Sequence, residues 1–189
     1  NLFRRLFAEG AFNTAFIPLF AKELEQDGVE PARLWAARIM SWLVMAVTSV
    51  TIVVEIFMPW ILPIFVPGFL DDPAKFDLTV LLTRICFPYL MCMSLMAAYA
   101  GILNGLGRFT ASSFAPILLN IVMIAFMLPL VIWRNTDIQT AIWIAIGTIA
   151  GGIAQLAMVY FAVRRANFVP RLHWPKLDAE VRRFWVLAI

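Results

Sequence analysis

Apolar residues fall into five long runs along this chain, separated by short polar connections, and a sixth run opens at its end. The first, Asn1 to Phe20, reads as a helix whose lower end is marked by Pro18. Residues 21 to 36 (AKELEQDGVEPARLWA) are the most polar stretch and contain the breakers Gly28 and Pro31, which predicts a water-exposed connection. Ala37 to Val66 is apolar throughout but holds Pro59 and Pro63. One straight helix of that length would reach roughly 45 Å against a hydrocarbon core of about 30 Å, so the span is expected to end near Pro59, with Trp60 at the interface. Pro67 to Asp77 is a turn-rich acidic loop, and Leu78 to Leu103 is the next span, with Arg84 near its start and Pro88 in its upper part. The turn GLGRFTASS (105–113) leads into Phe114 to Trp133, and a tight connection leads into Ile138 to Val163, whose Gly147, Gly151 and Gly152 permit close helix contact. Residues 164–183 form a basic, proline-containing loop before the run that opens near Phe184.

The pattern defines an all-α, polytopic transmembrane bundle with spans at about 1–20, 37–59, 78–103, 114–133 and 138–163, and the start of another at 184. Composition agrees: 62% of residues are hydrophobic and 14% charged, against about 25% charged in soluble domains. The chain starts and stops inside apolar runs without an initiator Met, so a piece of a longer protein is expected.

Lys and Arg are distributed unevenly over the connections. The first, third and fifth carry Lys22, Arg33, Arg38, Arg108, Arg164, Arg165, Arg171, Lys176, Arg182 and Arg183, whereas the second and fourth carry only Lys75 and Arg134. The positive-inside rule therefore puts 21–36, 105–113 and 164–183 in the cytoplasm, with the first helix running from outside to inside.

Few residues could carry chemistry. Cys86 and Cys92 lie six apart on different helix faces and read as packing residues rather than a disulfide or metal pair. The single histidine, His173, stands beside Trp174 in a basic loop and reads as interfacial. No Ser–His–acid set, metal-ligand cluster or phosphate loop can be assembled, so neither enzyme, cofactor nor metal is expected. Basic residues are not interleaved with polar surface, which argues against a nucleic-acid partner. Glu55 is expected at a solvated helix end, Arg84 to pair with Asp77 or to snorkel outward, Asn104 and Arg108 to cap a turn and meet anionic lipid, and Asn120 to bond a neighbouring helix.

The exception is the first helix, which places Arg4, Arg5 and Glu9 inside an apolar stretch, where an ionised group costs from about 3 to more than 10 kcal/mol. At helical spacing Asn1, Arg4, Ala8, Ala11 and Ala15 share one face, while Arg5 and Glu9 can pair and leave Arg4 free. Arginines that snorkel to headgroups would give the same pattern without function. An arginine in a low-dielectric cavity would suit a diphosphate, which it binds with two parallel hydrogen bonds; proton or anion transport is a second possibility.

RRLFAEGAFNTAFIP (4–18), VPGF (66–69), FPY (87–89), ILNGLGRF (102–109) and FAPILLNI (114–121) resemble, in order and spacing, the MurJ/MviN family of bacterial lipid II flippases. The resemblance implies part of a two-bundle exporter fold, with 1–189 mostly in the N-terminal bundle. It implies transport of an undecaprenyl-diphosphate-linked peptidoglycan precursor from the inner to the outer leaflet of the cytoplasmic membrane, in support of cell-wall synthesis and cell shape. By the same resemblance Arg4 is the cavity arginine for the diphosphate, Asn1, Arg5 and Glu9 share its motif, and Asn120 falls in a second motif. The full-length protein is expected to act as a monomer among membrane lipids. The rivals are another exporter of the same superfamily, carrying a drug or a polyprenyl-linked sugar, a non-transporting scaffold in which Arg5 and Glu9 only pack, and, most distantly, a membrane-embedded transferase.

Overall fold

The structure, a computed structural model, describes residues 11–132 and 136–171. Over these the chain forms six α-helices: α1 (Ala11–Gln26), α2 (Val29–Phe65), α3 (Pro73–Cys86), α4 (Tyr89–Gly105), α5 (Thr110–Ile132) and α6 (Asp137–Arg165), with a 3₁₀ turn at Pro67–Phe69 between α2 and α3. No strand occurs among the described residues. Four segments are long and apolar enough to cross a membrane: Val29–Phe65, Pro73–Gly105, Thr110–Leu130 and Asp137–Arg165. An apolar solvent forces backbone groups to pair within their own segment, which is why these runs are helical.

The helix boundaries depart from the sequence expectations mainly at prolines. Pro18 does not end α1, which continues for two further turns to Gln26 with the Pro18 ring on its exposed side. The expected connection 21–36 therefore shrinks to Asp27 and Gly28, whose φ of +87° suits glycine. Residues 29–36 are the first turns of α2, and Ala32, Trp35 and Ala36 are buried rather than water-exposed. Nor does α2 stop at Pro59; it runs unbroken for 37 residues, about 55 Å, with Pro59 and Pro63 inside it. A proline removes a single helical donor, a loss that neighbouring groups can make good.

Pro88 does interrupt its span. Phe87 still donates to the Thr83 carbonyl at 2.8 Å, but Leu90 and Met91 donate to Phe87 and Pro88 in tighter three-residue turns. The span expected at 78–103 is thus built of two helices, α3 and α4, joined at Phe87 and Pro88.

Helix α4 is central and packs against α1, α2 and α6. Its Ala97, Ala98, Ala100 and Gly101 are all buried, small side chains that let neighbouring backbones approach. The glycines of α6 divide their work. A Cβ on Gly147 or Gly151 would lie 2.9 Å from Phe126 or 2.5 Å from Leu119 of α5, and one on Gly152 would lie 2.6 Å from Tyr89 of α4. The expected close contact is present, and it seats α6 between two helices.

Candidate functional site

Four helix ends converge at one end of the bundle. Phe16 and Phe20, one turn apart on α1, are fully buried and stacked at 5.6 Å. Trp35 of α2 lies 5.3 Å from Phe16, and Phe168, just beyond α6, meets Phe20 edge-on at 5.4 Å. The fourth side is Gly105, the last residue of α4, where a Cβ would stand 2.4 Å from the Phe20 ring. This aromatic cluster fixes α1, which follows the candidate arginines in the sequence.

Two matching helix ends shape the same region. Beyond α4, Gly107 (φ +71°) lets Arg108 N–H donate to the Leu103 carbonyl and Gly107 N–H to that of Asn104. Beyond α6, Asn167 (φ +53°) does the same, with Phe168 N–H donating to Val163 and Asn167 N–H to Arg164. Both are left-handed caps that satisfy the last carbonyls of a helix; in the second, Phe168 and Val163 are both buried, the apolar contact that accompanies this motif. Arg33 of α2 ties the second cap down. Its Nη2 donates to the Asn167 carbonyl at 2.8 Å, its Nη1 pairs with Glu30 at 2.9 Å, and its guanidinium lies 5.5 Å from the Phe168 ring centre.

The candidate residues Asn1, Arg4, Arg5 and Glu9 lie outside the described residues. Asn120 is described, and it is exposed on α5 without a hydrogen bond to any described residue, so the expected amide bond to a neighbouring helix is not made there. Asn104 instead supplies an interhelical link: its Oδ1 accepts from Ser112 Oγ at 2.7 Å, joining α4 to α5 across the turn, while Arg108 is exposed.

Two further expectations concern Arg84 and Glu55. Arg84 makes no ion pair with Asp77; of the two alternatives it keeps the outward one, being exposed, and its Nε donates to the backbone carbonyl of Glu55 at 3.2 Å. Glu55 is half-buried, and its Oε1 is enclosed without a hydrogen-bond partner among the described residues, so it is not a solvated helix end. Gln155, buried on α6, donates from Nε2 to the Ala115 carbonyl of α5 at 2.8 Å. Cys86 and Cys92 are free thiols, Cys92 packing beside Gly152. Among the described residues no group of His, Cys, Asp or Glu could hold a metal ion. Sequence reasoning missed Arg33, which it counted only as loop charge; its position four residues before Ala37, where the long apolar run opens, was the available signal.

Helices of membrane-spanning length, joined by short turns and packed through glycine and alanine, define a multi-pass α-helical membrane protein. Residues 1–189 match a protein family described as "Lipid II flippase MurJ", and the chain belongs to that family. It is similar to a probable lipid II flippase MurJ of Rhizobium tropici, 44% identical over 190 residues, which cover 100% of this chain and 36% of that protein. It is also similar to a probable lipid II flippase MurJ of Rickettsia prowazekii (36% identical, over 98% of this chain and 36% of that protein). A third relative is the lipid II flippase MurJ of Burkholderia cenocepacia (31% identical, over 90% of this chain and 32% of that protein). The chain thus spans about a third of the length of these relatives.

Proposed function

We propose that this chain forms part of a flippase that carries a lipid-linked peptidoglycan precursor from the inner to the outer leaflet of the bacterial cytoplasmic membrane. The observation that carries this reading is the family match along all 189 residues, which includes the charged stretch RRLFAEGAF. Residues 1–189 belong to the N-terminal of two helical bundles, and one bundle rocks against the other around a shared cavity.

In this reading Arg4 binds the diphosphate, because a guanidinium matches phosphate geometry and stays charged at any biological pH. Arg5 and Glu9 balance each other beside it, and Asn1 and Asn120 supply polar contacts from the same cavity. The exposure of Asn120, without a partner among the described residues, leaves its amide free for that role. The aromatic anchor at Phe16 and Phe20 supports it too, since a charged residue can be aimed only from a helix held in place. The cation-rich end of the bundle, with Lys22, Arg33, Arg38, Arg108, Arg164, Arg165 and Arg171, faces the cytoplasm.

The test uses the full-length protein in cells depleted of their own flippase, with outer-face exposure of the precursor as the readout. Wild type restores exposure, and Arg4→Ala inserts normally but does not. Equal rescue by the two would remove Arg4 from the site. Failure of well-expressed wild type would point to another exporter of the same fold.

A further inference from the structure

A cleft of about 310 Å³ opens beside the Arg33 clamp, lined by Glu30, Arg33, Leu34 and Ala37 of α2 and by Val169 and Arg171 beyond α6. We propose that this cleft binds the phosphate of an anionic phospholipid headgroup, as a site separate from the transport cavity.

The charge balance favours an anion. Two guanidiniums face one carboxylate, and that carboxylate is already engaged by Arg33 Nη1 at 2.9 Å. Glu30, the Asn167 carbonyl and the Phe168 ring hold the Arg33 guanidinium in one orientation, so little freedom is lost when a ligand arrives. Each Nη group spends one N–H on these contacts and keeps a second. Arg171 is exposed and makes no hydrogen bond or ion pair with any described residue. A phosphate between the two arginines would accept from both.

The surroundings favour a lipid as the carrier of that phosphate. Leu34 lines the cleft and is 52% exposed, and Val29, at the start of the same helix, is equally exposed. Arg33 lies one turn before Ala37, where the apolar run of α2 begins, which is headgroup depth for a helix entering a bilayer. Basic pockets between spanning helices at the cytoplasmic surface are a recognised form of anionic-lipid site. A free phosphate could use the same guanidiniums but would gain nothing from the exposed leucine and valine.

The experiment titrates full-length protein in detergent with phosphatidylglycerol or with phosphatidylcholine of the same chains and counts bound lipid by native mass spectrometry. Phosphatidylglycerol should bind about fivefold more tightly, and Arg171→Gln should lose about that factor. Lys22→Gln removes the same charge from α1, outside the cleft lining, and should leave binding unchanged. No preference for phosphatidylglycerol, or equal losses from the two variants, would overturn the proposal by leaving only diffuse surface charge. Displacement of the lipid by millimolar inorganic phosphate would reassign the cleft to free phosphate and overturn the lipid assignment; retention under that competition supports it.

Discussion

Arg84 Nε donates to the backbone carbonyl of Glu55 at 3.2 Å, and that carbonyl is the one left without its helical donor by Pro59, four residues on. An arginine on α3 thereby repairs a gap that a proline opens in α2. The pair explains how α2 passes through Pro59 unbroken, because the carbonyl that the proline deprives of its helical donor gains another.

The two residues should therefore be coupled. Arg84→Gln is expected to lower stability by about 1 kcal/mol, the usual size of a lost hydrogen bond. Pro59→Ala returns an N–H to the Glu55 carbonyl, so Arg84→Gln in that background should cost much less. Thermal unfolding of the four members of the cycle in detergent measures this. Additive effects would separate the arginine from the proline.

Gly105 makes an opposite prediction from the one helix propensity gives. As the last residue of α4 it should favour alanine by close to 1 kcal/mol, if only its own backbone mattered. The added Cβ would instead stand 2.4 Å from a Phe20 ring that Phe16 and Phe168 hold in place. Gly105→Ala is expected to destabilise by about 1–3 kcal/mol, the range for overpacked cores, with partial recovery in Phe20→Leu. A raised melting temperature in Gly105→Ala would show that the ring can yield.

These two cases mark what the sequence could and could not disclose. Apolar run length alone located the four long spans, because in a bilayer length and hydropathy dictate helix almost without regard to tertiary contacts. Gly147, Gly151 and Gly152 were legible as contact residues, because small side chains in a span have few other uses. The prolines were not. Pro59 and Pro88 look alike in one dimension, yet α2 runs through Pro59, whose orphaned carbonyl accepts from Arg84, whereas Pro88 separates α3 from α4. Of the candidate site, the sequence offers the arginine motif through the cost of charge in an apolar stretch, and those arginines lie outside the described residues. Asn120 and Arg33 exchanged roles: the amide expected to link helices is exposed, and the arginine taken for loop charge clamps α6 to α2.

Gln155 tests how much a buried polar link contributes in such a bundle. Its Nε2 bonds to the Ala115 carbonyl at 2.8 Å, but its Oε1 is buried without a partner among the described residues. Replacing Gln155 with Leu removes the bond and the orphaned oxygen together, so the net cost should stay below about 1 kcal/mol, in line with interhelical bonds in membranes. Gln155→Glu keeps the size but places a charge there, and should cost several times more. A large loss in Gln155→Leu would mean that this single bond holds α5 to α6.

The orientation can be tested without reference to transport. With Cys86 and Cys92 replaced by alanine, single cysteines placed at Asp71 and at Arg108 are exposed at opposite ends of the bundle, each in a turn rather than a helix interior. The uneven cation distribution predicts Asp71 outside and Arg108 inside. A membrane-impermeant maleimide should therefore label Asp71→Cys in intact cells, and Arg108→Cys only after permeabilisation. Labelling in the reverse order would invert the topology and put Arg33, Arg171 and the cleft between them at the outer surface. Labelling of both in intact cells would mean that α3–α4 does not cross the bilayer, against a length and hydropathy that suffice for it.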